Sequence, residues 1–176
     1  TKSVVKIQNK NEFFILYNMI TGVYGSTITA YLTLEEKRID TAKAISKVQY
    51  LFKFTNDMTK TVKYCYARKT THNDRYVKCE FIHNTSEDPF TFKINFKPYG
   101  FWKYEVYEVT WIGDVNISSD TAPDIETETL SVADTNGVVK GKVEEGKVLI
   151  QETSGSEQVK YTQHSETTTN YLYTDY

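Results

Sequence analysis

Three histidines, two cysteines and a scatter of carboxylates are the side chains through which this 176-residue chain could carry chemistry. His72, His83 and His164 lie far apart in sequence. Cys65 and Cys79 are separated by thirteen residues, and no second cysteine pair exists to complete a zinc site. Cys79 and His83 fall on one face of a strand, but four residues of strand put them roughly 13 Å apart, beyond the reach of one ion. Asp114, Asn116, Asp120 and Asp124 form a carboxylate-rich segment. A calcium loop supplies roughly six to eight oxygens at fixed positions, and this spacing matches no such loop, so a solvated linker is expected. Glu105 and Glu108 fail as a general acid/base pair, because on a strand they point to opposite faces. There is no glycine-rich phosphate loop, no Gly-x-Ser-x-Gly elbow and no His-Glu-x-x-His pair. The expectation is a protein that is not an enzyme, with no metal and no cofactor.

Nucleic-acid binding is the other chemistry to weigh. Lys60, Lys63, Arg68, Lys69, Arg75 and Lys78 interleave with Tyr64, Tyr66 and Tyr76. Basic and aromatic side chains on one sheet can hold phosphates and stack bases. An acidic net charge of -2 and the absence of an RNA-binding motif favour core aromatics flanked by solvated lysines. No nucleic acid is expected as a partner.

Composition narrows the class. Tyr (14) and Phe (9) are abundant and Pro (3) is scarce, which tilts the chain towards strands. Charged residues make up 25%, too few for a chain disordered throughout. The longest apolar run, Phe13-Phe14-Ile15-Leu16-Tyr17, is far short of the roughly 20 residues that cross a bilayer, so no membrane partner is expected. No basic stretch followed by an apolar one opens the chain, so no signal peptide is visible. Two cysteines are too few for a disulfide framework, and a reducing intracellular setting is the default expectation. Asn84-Thr85-Ser86 and Asn116-Ile117-Ser118 match the glycosylation pattern and are read as chance. Charge is unevenly spread: residues 1–112 carry 17 Lys and Arg against 11 Asp and Glu, whereas residues 113–176 carry 4 against 12.

The elements that must position these residues are strands. Residues 3–8 suggest a short edge strand or arm, residues 12–20 a buried strand or short helix, and residues 28–34 a further strand. Residues 35–45 hold the one plausible helical turn. From residue 48 the pattern sharpens. Tyr50, Phe52 and Phe54 alternate with Leu51 and Lys53, then residues 61–67 close a hairpin. Residues 75–83 put Val77, Cys79 and Phe81 inward. The cleanest alternation sets Phe90, Phe92, Ile94 and Phe96 against Thr91, Lys93, Asn95 and Lys97. After a Pro98–Gly100 turn comes the aromatic strand Tyr99–Trp111, expected to be the spine of a sandwich over residues 48–111. Its apolar residues shift from even positions (Trp102, Tyr104, Val106) to odd ones (Tyr107, Val109, Trp111), which predicts a bulge or burial on both faces.

Three regions follow: a body at 1–111, an acidic linker at 112–128, and a small β-hairpin module with a C-terminal arm at 129–176. The hairpin is expected at Leu130–Ala133 and Val138–Lys142 around Asn136-Gly137, with a turn at Glu144-Glu145-Gly146. Val159-Lys160-Tyr161 is expected to form a last short strand.

Gly100-Phe101-Trp102-Lys103-Tyr104 resembles the Gly-x-Tyr-x-Cys spacing of an immunoglobulin F strand. That motif is joined by Leu51-Phe52-Lys53-Phe54-Thr55-Asn56-Asp57-Met58-Thr59, Arg75-Tyr76 and the run through Glu105-Val106-Tyr107-Glu108. Together they resemble small virion proteins of tailed bacteriophages, with the crass-like phages of Bacteroides-type hosts as the nearest group. The segment around Glu145-Gly146-Lys147-Val148-Leu149-Ile150 and the Tyr-rich end look similar as well. The resemblance implies an all-β fold, with an immunoglobulin-like β-sandwich body and an extended C-terminal arm. It implies an auxiliary capsid protein located in the virion and assembled in the host cytoplasm, or alternatively a head-tail connector or ring protein. The major capsid protein, other virion proteins and further copies of the chain are the partners it implies. Tyr171, Tyr173 and Tyr176 are the candidate anchoring residues. The rival is a carbohydrate- or cell-surface-binding sandwich, with Trp111 as its stacking and partner-binding residue.

Overall fold

The computed structural model describes residues 19–73 and 76–153, with the backbone alone for 71–73. The strand expected at 3–8, most of the one at 12–20 and everything beyond residue 153 lie outside the described residues.

Nine strands follow in chain order: β1 (Met19–Val23), β2 (Ile28–Leu32), β3 (Val48–Asn56), β4 (Val62–Tyr66), β5 (Arg68–Asn73), β6 (Tyr76–His83), β7 (Lys93–Ile94), β8 (Gly100–Thr110) and β9 (Val138–Gln151). They form two sheets, ordered β1-β9-β8-β3-β4 and β2-β6-β5, with β7 added to β6. All named pairings are antiparallel except β1 with β9 and β6 with β7. β4 and β5 are nearly one strand that changes sheets at Ala67, whose N–H donates to the Tyr50 carbonyl at 3.2 Å. This is how sandwich corners are made.

The two sheets face each other across an aromatic core. Phe52 and Phe54 of β3 meet Phe81 of β6 edge-on, with ring centroids 4.8 and 5.3 Å apart. Phe96 meets Phe54 and Trp102 in the same manner. Tyr50, Phe52, Phe54, Phe81, Trp102 and Tyr104 are fully buried, each removing enough apolar surface to contribute roughly 1.5–3 kcal/mol. The described residues form an all-β, sandwich-like fold of two sheets.

β8 keeps strict alternation to its end. Trp102, Tyr104, Val106 and Glu108 point into the sandwich, while Tyr107, Val109 and then Trp111 face the other side. The shift in apolar phase arises because Glu108 takes an inward position and because the outer face is also covered there. The bulges lie on β9, where Val143 and Lys140 are skipped in the register with β8.

The cover over that outer face is the segment expected to be a linker. Val115, Ile117 and Ala122 pack with Leu51, Tyr66, Val109 and Trp111 in a second, smaller core. The Tyr66 hydroxyl donates to the Pro123 carbonyl at 2.7 Å, and Gly137 N–H to Thr121 O at 2.7 Å.

Three local expectations are corrected. The hairpin at 130–142 and the turn at 144–146 are absent: Val138–Gln151 is one strand, because the long flank of β8 supplies backbone partners that outweigh weak turn signals. The alternating run at 90–96 is mostly not a strand. Asp88 caps a 3-10 turn at Pro89–Thr91, its carboxylate accepting from Phe90 N at 3.0 Å, and Phe92 is left-handed at φ 65°. Asp before Pro is a helix-start signal, and here it overrides alternation. The helical turn at 35–45 resolves into two 3-10 turns, Glu35–Lys37 and Ile45–Lys47.

Candidate interaction surfaces

Cys65 and Cys79 are fully buried on the inward face, and burial pushes both thiols up, Cys79 to about 12. Thiols held protonated are poor nucleophiles and poor ligands. Among the described residues no three His, Cys, Asp or Glu side chains gather in a cluster that could hold a metal. Glu105 and Glu108 do point apart. Glu105 lies outside between Lys103 and Lys142, at 3.4 and 3.3 Å. Glu108 is buried and accepts the backbone N–H groups of Ile39 (2.7 Å) and Asp40 (2.9 Å), which pins the 35–47 loop across one end of the sandwich.

Most of the basic residues of the 60–78 stretch are spoken for. Lys63 pairs with Glu87, and Arg68 and Lys78 both pair with Glu80. Lys69 donates to the carbonyls of Ile45 and Val48. Tyr64 donates to Glu126, and Tyr66 is buried.

The uneven charge along the chain is used within the fold. Lys53 pairs with Glu126, Lys47 with Asp114 at 2.7 Å, and Lys37 with Glu144, each joining the basic part of the chain to the acidic part. Hydrogen bonding to Glu126 raises the pKa of Lys53. Burial tends to raise Glu126, but its bonds from Lys53 and Tyr64 bring it below the usual carboxylate value. Burial, followed by the Glu126 contact, pushes Tyr64 up to about 12.

Of the candidate anchors, Tyr171, Tyr173 and Tyr176 lie outside the described residues. Trp111 is 0% exposed, with its ring against Gly137 and Val109, so it offers no stacking face to solvent. Two tyrosines singled out for no such role are exposed on the outer face of the β2-β6-β5 sheet. Tyr31 (61% exposed) meets Tyr76 (36%) edge-on at 5.4 Å. Alternation with Ile28, Ala30 and Leu32 was the signal that places Tyr31 outward.

Sheet edges differ in how they are protected. The β4 edge is covered by the 87–96 segment, where Lys63 reaches the Asn95 carbonyl at 2.6 Å. The β5 edge is basic and carries a bulge between Lys69 and Thr71. The part of β9 that runs past β1 carries two bulges and the charges of Lys140, Lys142, Glu144 and Glu145. Bulges and charges are the usual defences against unwanted pairing. β1 has neither: Met-Ile-Thr-Gly-Val pairs with β9 on one side and, among the described residues, with no strand on the other. Its Met19 and Val23 are 46% and 38% exposed.

No protein-family model, curated protein or solved structure matches this chain.

Proposed function

We propose that this chain is a non-enzymatic virion structural protein, an auxiliary protein that decorates or cements a capsid, built on an immunoglobulin-like body. Strand order supports the body. With β1 as A′, β2 as B, β3 as C, β4 as C′, β5 as D, β6 as E, β8 as F and β9 as G, the two sheets read A′GFCC′ and BED. Trp102 adds to this. Its indole N–H donates to the Pro98 carbonyl, four residues upstream, at 3.1 Å, as the corner tyrosine of an F strand does in that fold.

The observation that carries the assembly reading is the β1 edge: β1 pairs with β9 on one flank and, among the described residues, with no strand on the other, and its Met19 and Val23 are part exposed. An uncharged edge of this kind is a layout for strand addition, a common route of peptide recognition. The motif resemblance to small phage virion proteins points to capsid or neighbouring subunits as partners. A head-tail connector would use the same layout.

Deleting residues 165–176 should leave a folded protein that no longer joins particles. Particles reconstituted with the truncated chain at full occupancy would sink the docking role of Tyr171, Tyr173 and Tyr176. A second reading, a carbohydrate-binding module, loses Trp111 to burial but is favoured by the Tyr31–Tyr76 pair. Glycan binding that Tyr31→Ala abolishes would raise it above the first.

A further inference from the structure

We infer that residues 113–137 form a strap that lifts off the sandwich as one unit, with the Glu126 carboxylate as its latch. Lifting uncovers Leu51, Tyr66, Val109 and Trp111 while both sheets stay paired. The inference goes beyond the assembly reading and does not depend on it.

Three observations lead there. First, the strap is hydrogen-bonded to itself. It contains no strand or helix, and it runs from the end of β8 to the start of β9. Among the described residues its backbone–backbone hydrogen bonds all close within the segment. Gly113 N–H donates to Asp134 O, Ala122 N–H to Ser118 O, Glu128 N–H to Ile125 O, Asn136 N–H to Ala133 O and Gly137 N–H to Thr121 O. Thr110 of β8 faces Val138 of β9, so the strap leaves and rejoins the sheet at neighbouring points. A loop with close ends and its own internal bonds can move as a body, in the manner of an Ω-loop. The β3–β4, β3–β8 and β8–β9 ladders do not run through it and survive its departure.

Second, what the strap covers is separate from the main core. Leu51, Tyr66, Val109 and Trp111 gather with Ala122 in one buried cluster, whereas Phe52, Phe54, Phe81, Trp102 and Tyr104 belong to another. Losing the cover removes the smaller cluster and leaves the interior between the sheets packed. The strap's own apolar share is Val115, Ile117 and Ala122. Segments with few buried apolar contacts open at a free energy below that of global unfolding.

Third, the polar ties to the body converge on one residue. Lys53 Nζ and the Tyr64 hydroxyl donate to the two oxygens of the Glu126 carboxylate. Lys53 and Tyr64 sit opposite each other on β3 and β4, so one carboxylate spans two strands. Tyr66 adds its bond to the Pro123 carbonyl at 2.7 Å. Lys47 meets Asp114 at 2.7 Å, but the Asp114 side chain is fully exposed, and such a pair adds little. The Glu126 side chain is only 18% exposed, so its charge-assisted bonds weigh more.

The test is native-state hydrogen exchange on the full, unsubstituted chain at pH 7. The amides of Gly113, Ala122, Glu128 and Gly137 should exchange together, roughly tenfold or more faster than those of β3 and β8. Glu126→Gln should quicken those four about threefold or more and leave β3, β8, Ile39 and Asp40 unchanged. Adding Lys53→Met to Glu126→Gln should change the rates by less than about twofold, because the two residues share one contact. Four unrelated rates, or rates matching those of β3 and β8, would overturn the inference. So would a Glu126→Gln effect that is absent or spreads to β3 and β8, or a Lys53→Met effect that multiplies with it. Ala122→Cys gives a second readout. A thiol reagent should modify position 122 at the opening rate of the strap, while Cys65 and Cys79, fully buried in the main core, lag behind. All three thiols reacting at one rate would also overturn it.

Discussion

Gly137 lies so close to Trp111 that a Cβ built on it would sit 2.6 Å from Cζ2 of the indole. The tryptophan that ends the aromatic strand is thus sealed by the acidic segment folding back over it. Gly137 N–H at the same time closes onto Thr121 O.

Gly137→Ala should therefore destabilise the protein by about 1–3 kcal/mol, the range for forcing a methyl group into a packed site. A urea midpoint measured by Trp fluorescence checks this. A midpoint unchanged from the parent would mean that the 113–137 cover is not packed on Trp111.

Glu108 supports a second cover, the 35–47 loop, through its bonds to the N–H groups of Ile39 and Asp40. Glu108→Ala removes both acceptors from a buried position and should cost about 2–4 kcal/mol. Glu108→Gln keeps one acceptor oxygen and should cost less. Amide exchange at residues 39 and 40 should quicken in both variants. If Ala and Gln prove equally stable, the carboxylate bonds are not what holds the loop.

Acid should loosen the acidic cover before the sandwich. The pKa of Glu126 is lowered in the folded state, so its contribution is present above the unfolded carboxylate value of about 4.3 and fades as pH falls through the lower folded value. Stability of the parent should therefore drop more steeply below about pH 4.3 than that of Glu126→Gln. Urea titrations at pH 7 and pH 3 make the comparison. Parallel losses in the two proteins would remove Glu126 from the acid response.

Much of the strand framework was legible from local pattern. The alternation of Tyr50, Phe52 and Phe54, of Val77, Cys79 and Phe81, and of Trp102, Tyr104 and Val106 requires only that one face of each strand be buried, and all nine side chains are. The run at Phe90–Phe96 misled because an Asp-Pro cap acts locally, whereas alternation pays off only where a partner strand is at hand. β9 was read as a hairpin and a turn because its charged and glycine-rich stretch lacks strand propensity, and the flank of β8 that pairs with it lies far back in the chain. The rival reading's stacking residue, Trp111, is interior, and Glu108, for which the sequence suggested no structural role, is buried as the acceptor that holds the 35–47 loop.

By itself the sequence determined the class of the fold, the aromatic centre of the core and the absence of any recognisable catalytic or metal-ligating motif. These follow from side-chain type and spacing along a strand. Tertiary structure alone decided that the described part of the acidic third packs on the body, that Asp114, Glu126 and Glu144 are met by Lys47, Lys53 and Lys37, and that β1, among the described residues, has a strand partner on one flank only. Those outcomes depend on which distant segments come to lie side by side. Pairing of that kind is set by competition among long-range contacts, and no local window of residues records its result.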